Sequence, residues 1–200
     1  MRLSLTLLVL VASAALAPAA PVPKAILKKF PDYYPLLPGT EWEYEAGESL
    51  FTVKVKDYEK KDGVRTGTLA TFSGENEVAT ERIRVDAKGV SRTHINGIEI
   101  EPPVLILKFG IGDETAWDTK AKVGKDTVDF TFKLEGLEEA KVPAGKYKAV
   151  KVTGSGDIAG TKSRVVYHFA EGVGIVRLSY GVGGGGATMQ LKKFTPGKEE

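Results

Sequence analysis

The 200-residue chain contains no cysteine, only two histidines, and no block of charge of one sign. The first absence excludes a disulfide scaffold, a thiol nucleophile, a Cys-ligated metal and a lipobox-type lipid anchor together. The second leaves His94 and His168 without the His-x-His or His-x-x-x-His spacing that a compact zinc site needs, so no metal site is expected. The 28 Lys plus Arg and 26 Asp plus Glu are interspersed, which leaves no basic footprint for nucleic acid. There is also no long polar tract. With 42% hydrophobic residues the chain falls in the globular range and is long enough to bury one sizeable core.

Met1 to Ala20, "MRLSLTLLVLVASAALAPAA", places one Arg before an apolar stretch from Leu3 to Leu16, followed by small residues and proline. This is the layout of a secretory signal peptide, with cleavage expected after Ala17-Pro18-Ala19. An uncleaved anchor is the alternative, although the apolar stretch is short of the roughly 20 residues of a membrane span. The expected organisation is a signal peptide at 1–19, a linker or short helical turn at 20–30, one β domain at 31–195 and a disordered tail at 196–200. An exported chain without cysteine suits a bacterial envelope. The expected location is secreted or periplasmic, peripheral to the membrane at most.

From Glu41 onward the apolar period is two. "FTVKVKDYE" sets Phe51, Val53 and Val55 on one face and Lys54 and Lys56 on the other, as a half-buried strand requires. Turn residues recur every eight to twelve positions or so, the rhythm of a meander. Asp62-Gly63 and Asn96-Gly97 each sit between alternating runs, and Asn-Gly is a preferred pair for a two-residue type I′ hairpin. Pro143 to Gly145 marks another turn. The run "GVGGGGA", Gly181 to Ala187, reads as a flexible hairpin loop; a phosphate-cradling loop would need a helix start and a Lys-Ser/Thr pair, and neither follows.

The order of motifs repeats. Gly39 and Trp42 answer Gly112 and Trp117, "FTVKV" at Phe51 answers "FTFKL" at Phe130, and "ERIRVDAKGVSR" at Glu81 answers "SRVVYHFAEGVGIVR" at Ser163. A duplicated unit of strands is therefore expected, since a few strands with one apolar face cannot stand alone. Each tryptophan then reads as a core anchor burying on the order of 200 Å².

"YYPLLPGTEWEYE", "VPAGKYKAVKV" and "YHFAEGVGIVRLSY" resemble a diffuse, mostly uncharacterised class of exported bacterial β-domains. Members open with an aromatic-Pro-Leu-x-x-Gly-x-x-Trp-x-Tyr stretch and close with Gly-Val-Gly-x-Val. Lys146-Tyr147 stands where the class has Thr-Phe. The resemblance implies a strongly curved antiparallel sheet similar to the open half-barrels of lipoprotein carriers of the LolA and LppX type. It brings no catalytic residues and no cofactor.

Nor do the residues themselves supply chemistry. Ser91, His94 and Asp86, or Ser163 with His168, could be imagined as a triad, yet neither serine occupies a nucleophile elbow. Asp113, Glu114 and Asp118 cluster without a regular calcium loop, and Glu138-Glu139 reads as a solvated turn. No catalytic, cofactor-binding or metal-ligating residue is assigned.

The expected fold is all-β: a single strongly curved antiparallel sheet or open half-barrel of roughly ten to twelve strands. "PPVLILKFGIG" carries apolar residues on both faces of any strand, so something must cover its second side. That cover could be the Ile26, Leu27 and Phe30 stretch, a lipid chain or a partner protein. The residues expected to line a ligand groove are Val104, Ile106, Leu107 and Phe109. The expectation is an exported, non-enzymatic envelope module, monomeric, binding an apolar ligand such as a lipid or a lipoprotein acyl chain. A structural or protein-interaction module with a filled core is the alternative, and a hydrolase the third.

Overall fold

The computed structural model describes residues 32–110 and 115–198. The expected signal peptide and linker, the Ile26-to-Phe30 cover, and Asp113 and Glu114 lie outside the described residues.

Twelve strands run as one antiparallel meander: β1 (Glu41–Ala46), β2 (Ser49–Lys61), β3 (Val64–Ser73), β4 (Asn76–Asp86), β5 (Gly89–Ile95), β6 (Ile98–Lys108), β7 (Ala116–Val123), β8 (Asp126–Val142), β9 (Gly145–Ile158), β10 (Thr161–Ala170), β11 (Gly174–Val182) and β12 (Gly185–Thr195). The two-residue turns begin where the sequence places them. Asn96 and Gly97 adopt φ of 49° and 76°, and Asp62 and Gly63 adopt 51° and 78°, the doubly positive pattern of a type I′ turn. The glycine run is mostly strand: Gly181 and Val182 end β11, Gly185 and Gly186 begin β12, and Gly183 and Gly184 turn between them.

The sheet closes, which corrects the expected open half-barrel. β1 pairs with β12 from Glu41 opposite Thr195 to Glu45 opposite Gln190, completing a closed twelve-stranded barrel. Closure satisfies the backbone groups that two free edge strands would leave unpaired. No boundary between two units interrupts the meander, and the closed barrel by itself does not show the expected duplication. The matched motifs are strand patterns whose local surroundings differ, as the two tryptophans show below.

Alternation sorts the wall. In β7 the buried Trp117, Thr119 and Ala121 alternate with the exposed Asp118, Lys120 and Lys122. Charged pairs face each other across the outer side, as in Lys54 with Glu41, Lys193 with Glu43 and Lys120 with Asp129, at 3.0, 3.0 and 3.1 Å. A barrel that crosses a membrane has the reverse arrangement, an apolar band outside and polar groups within. This wall is built to face water. No helix among the described residues is long and apolar enough to cross a membrane.

The barrel has two unlike ends. At the base, residues 32–40 lie across the opening, burying Tyr33, Tyr34 and Leu36. Tyr33 meets Phe109, Tyr34 meets Trp42, and Asp32 is bonded by Arg65 at 3.0 Å. Gly197 and Lys198, expected in a free tail, donate their backbone N–H groups to Thr40 Oγ1 and the Pro38 carbonyl. The tip of the long β8–β9 hairpin also bonds there, Ala144 N–H to the Leu191 carbonyl at 2.9 Å. The opposite end carries only tight turns. We call it the mouth.

Candidate functional site

The interior is incompletely filled toward the mouth. Two adjoining cavities, of about 230 and 260 Å³, share Arg92, Leu178 and Tyr180 in their walls. The larger is walled chiefly by Ile100, Val104, Val128, Phe130, Phe132 and Val165. The smaller reaches down to Tyr34, Trp42, Tyr44 and Glu81. A larger cleft of about 760 Å³ lies outside the base among Lys60, Arg65, Arg84 and Lys88, but it is open and charged.

At the mouth, large apolar side chains stay exposed. Ile98, Ile158, Tyr180 and Val182 are 48, 38, 45 and 45% exposed, each within a few residues of a mouth turn. The last three also line the larger cavity. Leu50 and Val78, near two other mouth turns, are also exposed but line neither cavity. Such a patch bordering a cavity is unlike scattered surface apolar residues, which need no explanation.

Where the two cavities meet, the apolar wall is broken by one ion pair. Arg92 Nε donates to Glu81 Oε2 at 2.6 Å. Both belong to the inward set: Glu81 shares its side of β4 with Ile83 and Val85, and Arg92 stands opposite Ile83 on β5. Their side chains are 22 and 23% exposed, and that exposure is to the cavities they line. Burial alone would lower the Arg92 pKa, yet Glu81 beside it, with Tyr167 and Tyr34 near, lifts it above its usual value. Burial first and Glu81 second drive Tyr34 and Tyr44 upward, so all three groups keep their protons. Tyr44 spends its hydroxyl on the Ile175 carbonyl at 2.7 Å.

This pair was readable in the sequence and was missed. In "ERIRVDAKGVSR" the outward positions of the first strand are Arg82 and Arg84, so Glu81 falls on the same side as Ile83 and Val85. A charged residue in an apolar register, matched by an opposite charge one hairpin later, signals a buried pair.

Of the four residues expected to line a groove, Val104 lines the larger cavity. Ile106 and Leu107 are fully buried in the core, and Phe109 lies at the base against Tyr33. The imagined triads do not assemble. Ser163 lines the larger cavity and donates to the Thr161 carbonyl, whereas His168 binds Glu138 at 2.7 Å on the outer side of the wall. His94 contacts Thr93, and Asp86 is engaged by Lys88 N–H and Arg84. Among the described residues no three His, Asp or Glu side chains are grouped to hold a metal ion.

Comparison with known proteins returns structural neighbours only. No protein-family model matches the chain, and no curated protein does. Among solved structures it is similar to a protein from Bacteroides fragilis, provisionally assigned as exported and of YmcC-like fold, at 12% identity and a TM-score of 0.54 over 81% of this chain and 98% of that one. It is also similar to a provisionally assigned lipoprotein from Parabacteroides distasonis, at 11% identity and a TM-score of 0.49, over 82% and 98%. The first of these comparisons places the chain in the same fold.

Proposed function

We propose that the protein is an exported, non-enzymatic module of the cell envelope that binds an apolar ligand, an acyl chain in the first instance, inside its barrel. The observation that carries this reading is an unfilled, predominantly apolar interior opening beneath a rim of exposed Ile98, Ile158, Tyr180 and Val182. Ligand sites in proteins measure roughly 300–1,000 Å³ and are mostly apolar with a few placed polar groups. Each cavity falls a little below that range and the joined pair within it. A module acting through its surface alone would gain stability by filling this space, because unfilled volume costs packing energy. The provisional assignment of the Bacteroides fragilis neighbour as exported and the signal-like first residues support the location.

Native mass spectrometry of the protein purified under mild conditions from its own cells tests the reading. Adducts of lipid mass that vanish when the cavity is blocked are expected. A mass equal to the bare chain, together with no uptake of an apolar dye, would sink it.

A further inference from the structure

The polar floor of the cavities fixes which kind of head group such a ligand carries. Arg92 uses Nε for Glu81, and its two Nη nitrogens make no hydrogen bond among the described residues. The hydroxyls of Tyr34 and Tyr167 make none either, while Tyr44 is already engaged. None of these four donor atoms is a sealed, unsatisfied group. Tyr34 and Arg92 line the smaller cavity, Arg92 and Tyr167 the larger, so the open donors converge on the junction between them. Buried donors of this kind are normally matched by an acceptor.

Charge decides the acceptor's nature. The single positive charge on the floor is already neutralised by Glu81 at 2.6 Å. A carboxylate or phosphate brought beside Arg92 would add a second anion to an apolar floor whose nearest other cation in the lining, Arg164, is exposed near the mouth rather than beside Glu81, an unfavourable transfer. An uncharged carbonyl oxygen meets the same donors without that cost. We infer that the barrel takes an acyl chain head first, its ester or amide carbonyl accepting hydrogen bonds from Arg92, Tyr34 and Tyr167 and its hydrocarbon tail running along the larger cavity to the mouth. The inference rests on the binding role proposed above and adds the chemical class of the head. Glycerides, acylated peptides and other esters share this group.

The test is displacement of Nile red from the folded protein at pH 8 by three matched compounds: dodecane, methyl dodecanoate and dodecanoic acid. The ester is expected to displace the dye at about tenfold lower concentration than the alkane, the worth of one or two net hydrogen bonds, and below the acid. Replacing Tyr34→Phe and Tyr167→Phe removes two hydroxyls at nearly constant volume. In that variant the ester's advantage should shrink to about twofold or less, with dodecane unchanged. An acid that outcompetes the ester would overturn the neutral-head assignment, and so would an ester no better than the alkane. Failure of all three to displace a bound dye, or failure of the dye to bind, would remove the binding role and this inference with it.

Discussion

The indole N–H of Trp117 donates to the main-chain carbonyl of Leu105 at 2.9 Å, bridging β7 and β6 where their own ladder comprises only Ile100 opposite Val123 and Glu101 opposite Lys122. A side chain here does what backbone groups do elsewhere around the barrel. Trp42 does a different task, donating at 2.6 Å to the Val173 carbonyl and so fastening β1 to the β10–β11 turn. Replacing Trp117→Phe keeps the stacking on Phe132 but orphans the Leu105 carbonyl. A loss of about 1–3 kcal/mol is expected from urea unfolding, with faster amide exchange in β6 and β7 than in β9.

The Arg92–Glu81 pair gives a second expectation. Truncating one partner strands a charge inside the barrel, so Arg92→Met should cost about 3 kcal/mol or more. Glu81→Met introduced on top of it should recover a large part. Thermal unfolding of the two single variants and the double variant completes the cycle, and simple additivity would show that the pair is not coupled.

Blocking the cavities should abolish uptake while the barrel survives. Leu178 borders both, and Leu178→Trp puts an indole into the space they share. Nile red affinity should fall at least about tenfold, at a stability cost of roughly 1–3 kcal/mol from overpacking. Unchanged dye binding with an intact far-ultraviolet spectrum would place the dye elsewhere.

Acid should loosen the outer face. His168 is buried against Glu138, and burial, only partly opposed by that carboxylate, lowers its pKa from 6.5. Glu138 is drawn below its usual value because the bonds from His168 and Lys151 outweigh its own burial. For both groups the unfolded chain takes up protons at higher pH than the folded one. Stability is therefore fully present above about pH 6.5 and declines as pH falls below it. The urea midpoint should drop between pH 7.5 and 5.5, and His168→Gln should flatten that slope.

Backbone proximity makes a final prediction. Gly89 opens β5 with φ of 144°, and a Cβ there would stand 1.9 Å from the Leu107 carbonyl oxygen. Gly89→Ala must push β5 and β6 apart. A loss above roughly 3 kcal/mol, or failure to fold, is expected by circular dichroism and chemical unfolding.

Much of the wall was legible in the residues, because period-two alternation and the pairs Asn96-Gly97 and Asp62-Gly63 act locally. Closure was not. Glu41 and Thr195 pair across nearly the whole chain, and an edge strand carries the same alternation as a strand paired on both sides. The site was legible in part: Val104 lines the larger cavity, but the bulges between Val90 and Ser91 and between Arg92 and His94 shift the β5–β6 register and defeat a simple count along β6. Tyr34 entered the site from a segment that had no strand pattern at all.

Both described chain ends, Asp32 and Lys198, leave the barrel at its base. The described residues thus form a cup whose two described ends and whose opening lie on opposite sides. A tether joined directly at Asp32 or Lys198 would hold the floor and leave the brim clear, so dye uptake, on the role proposed above, should tolerate immobilisation at those two positions.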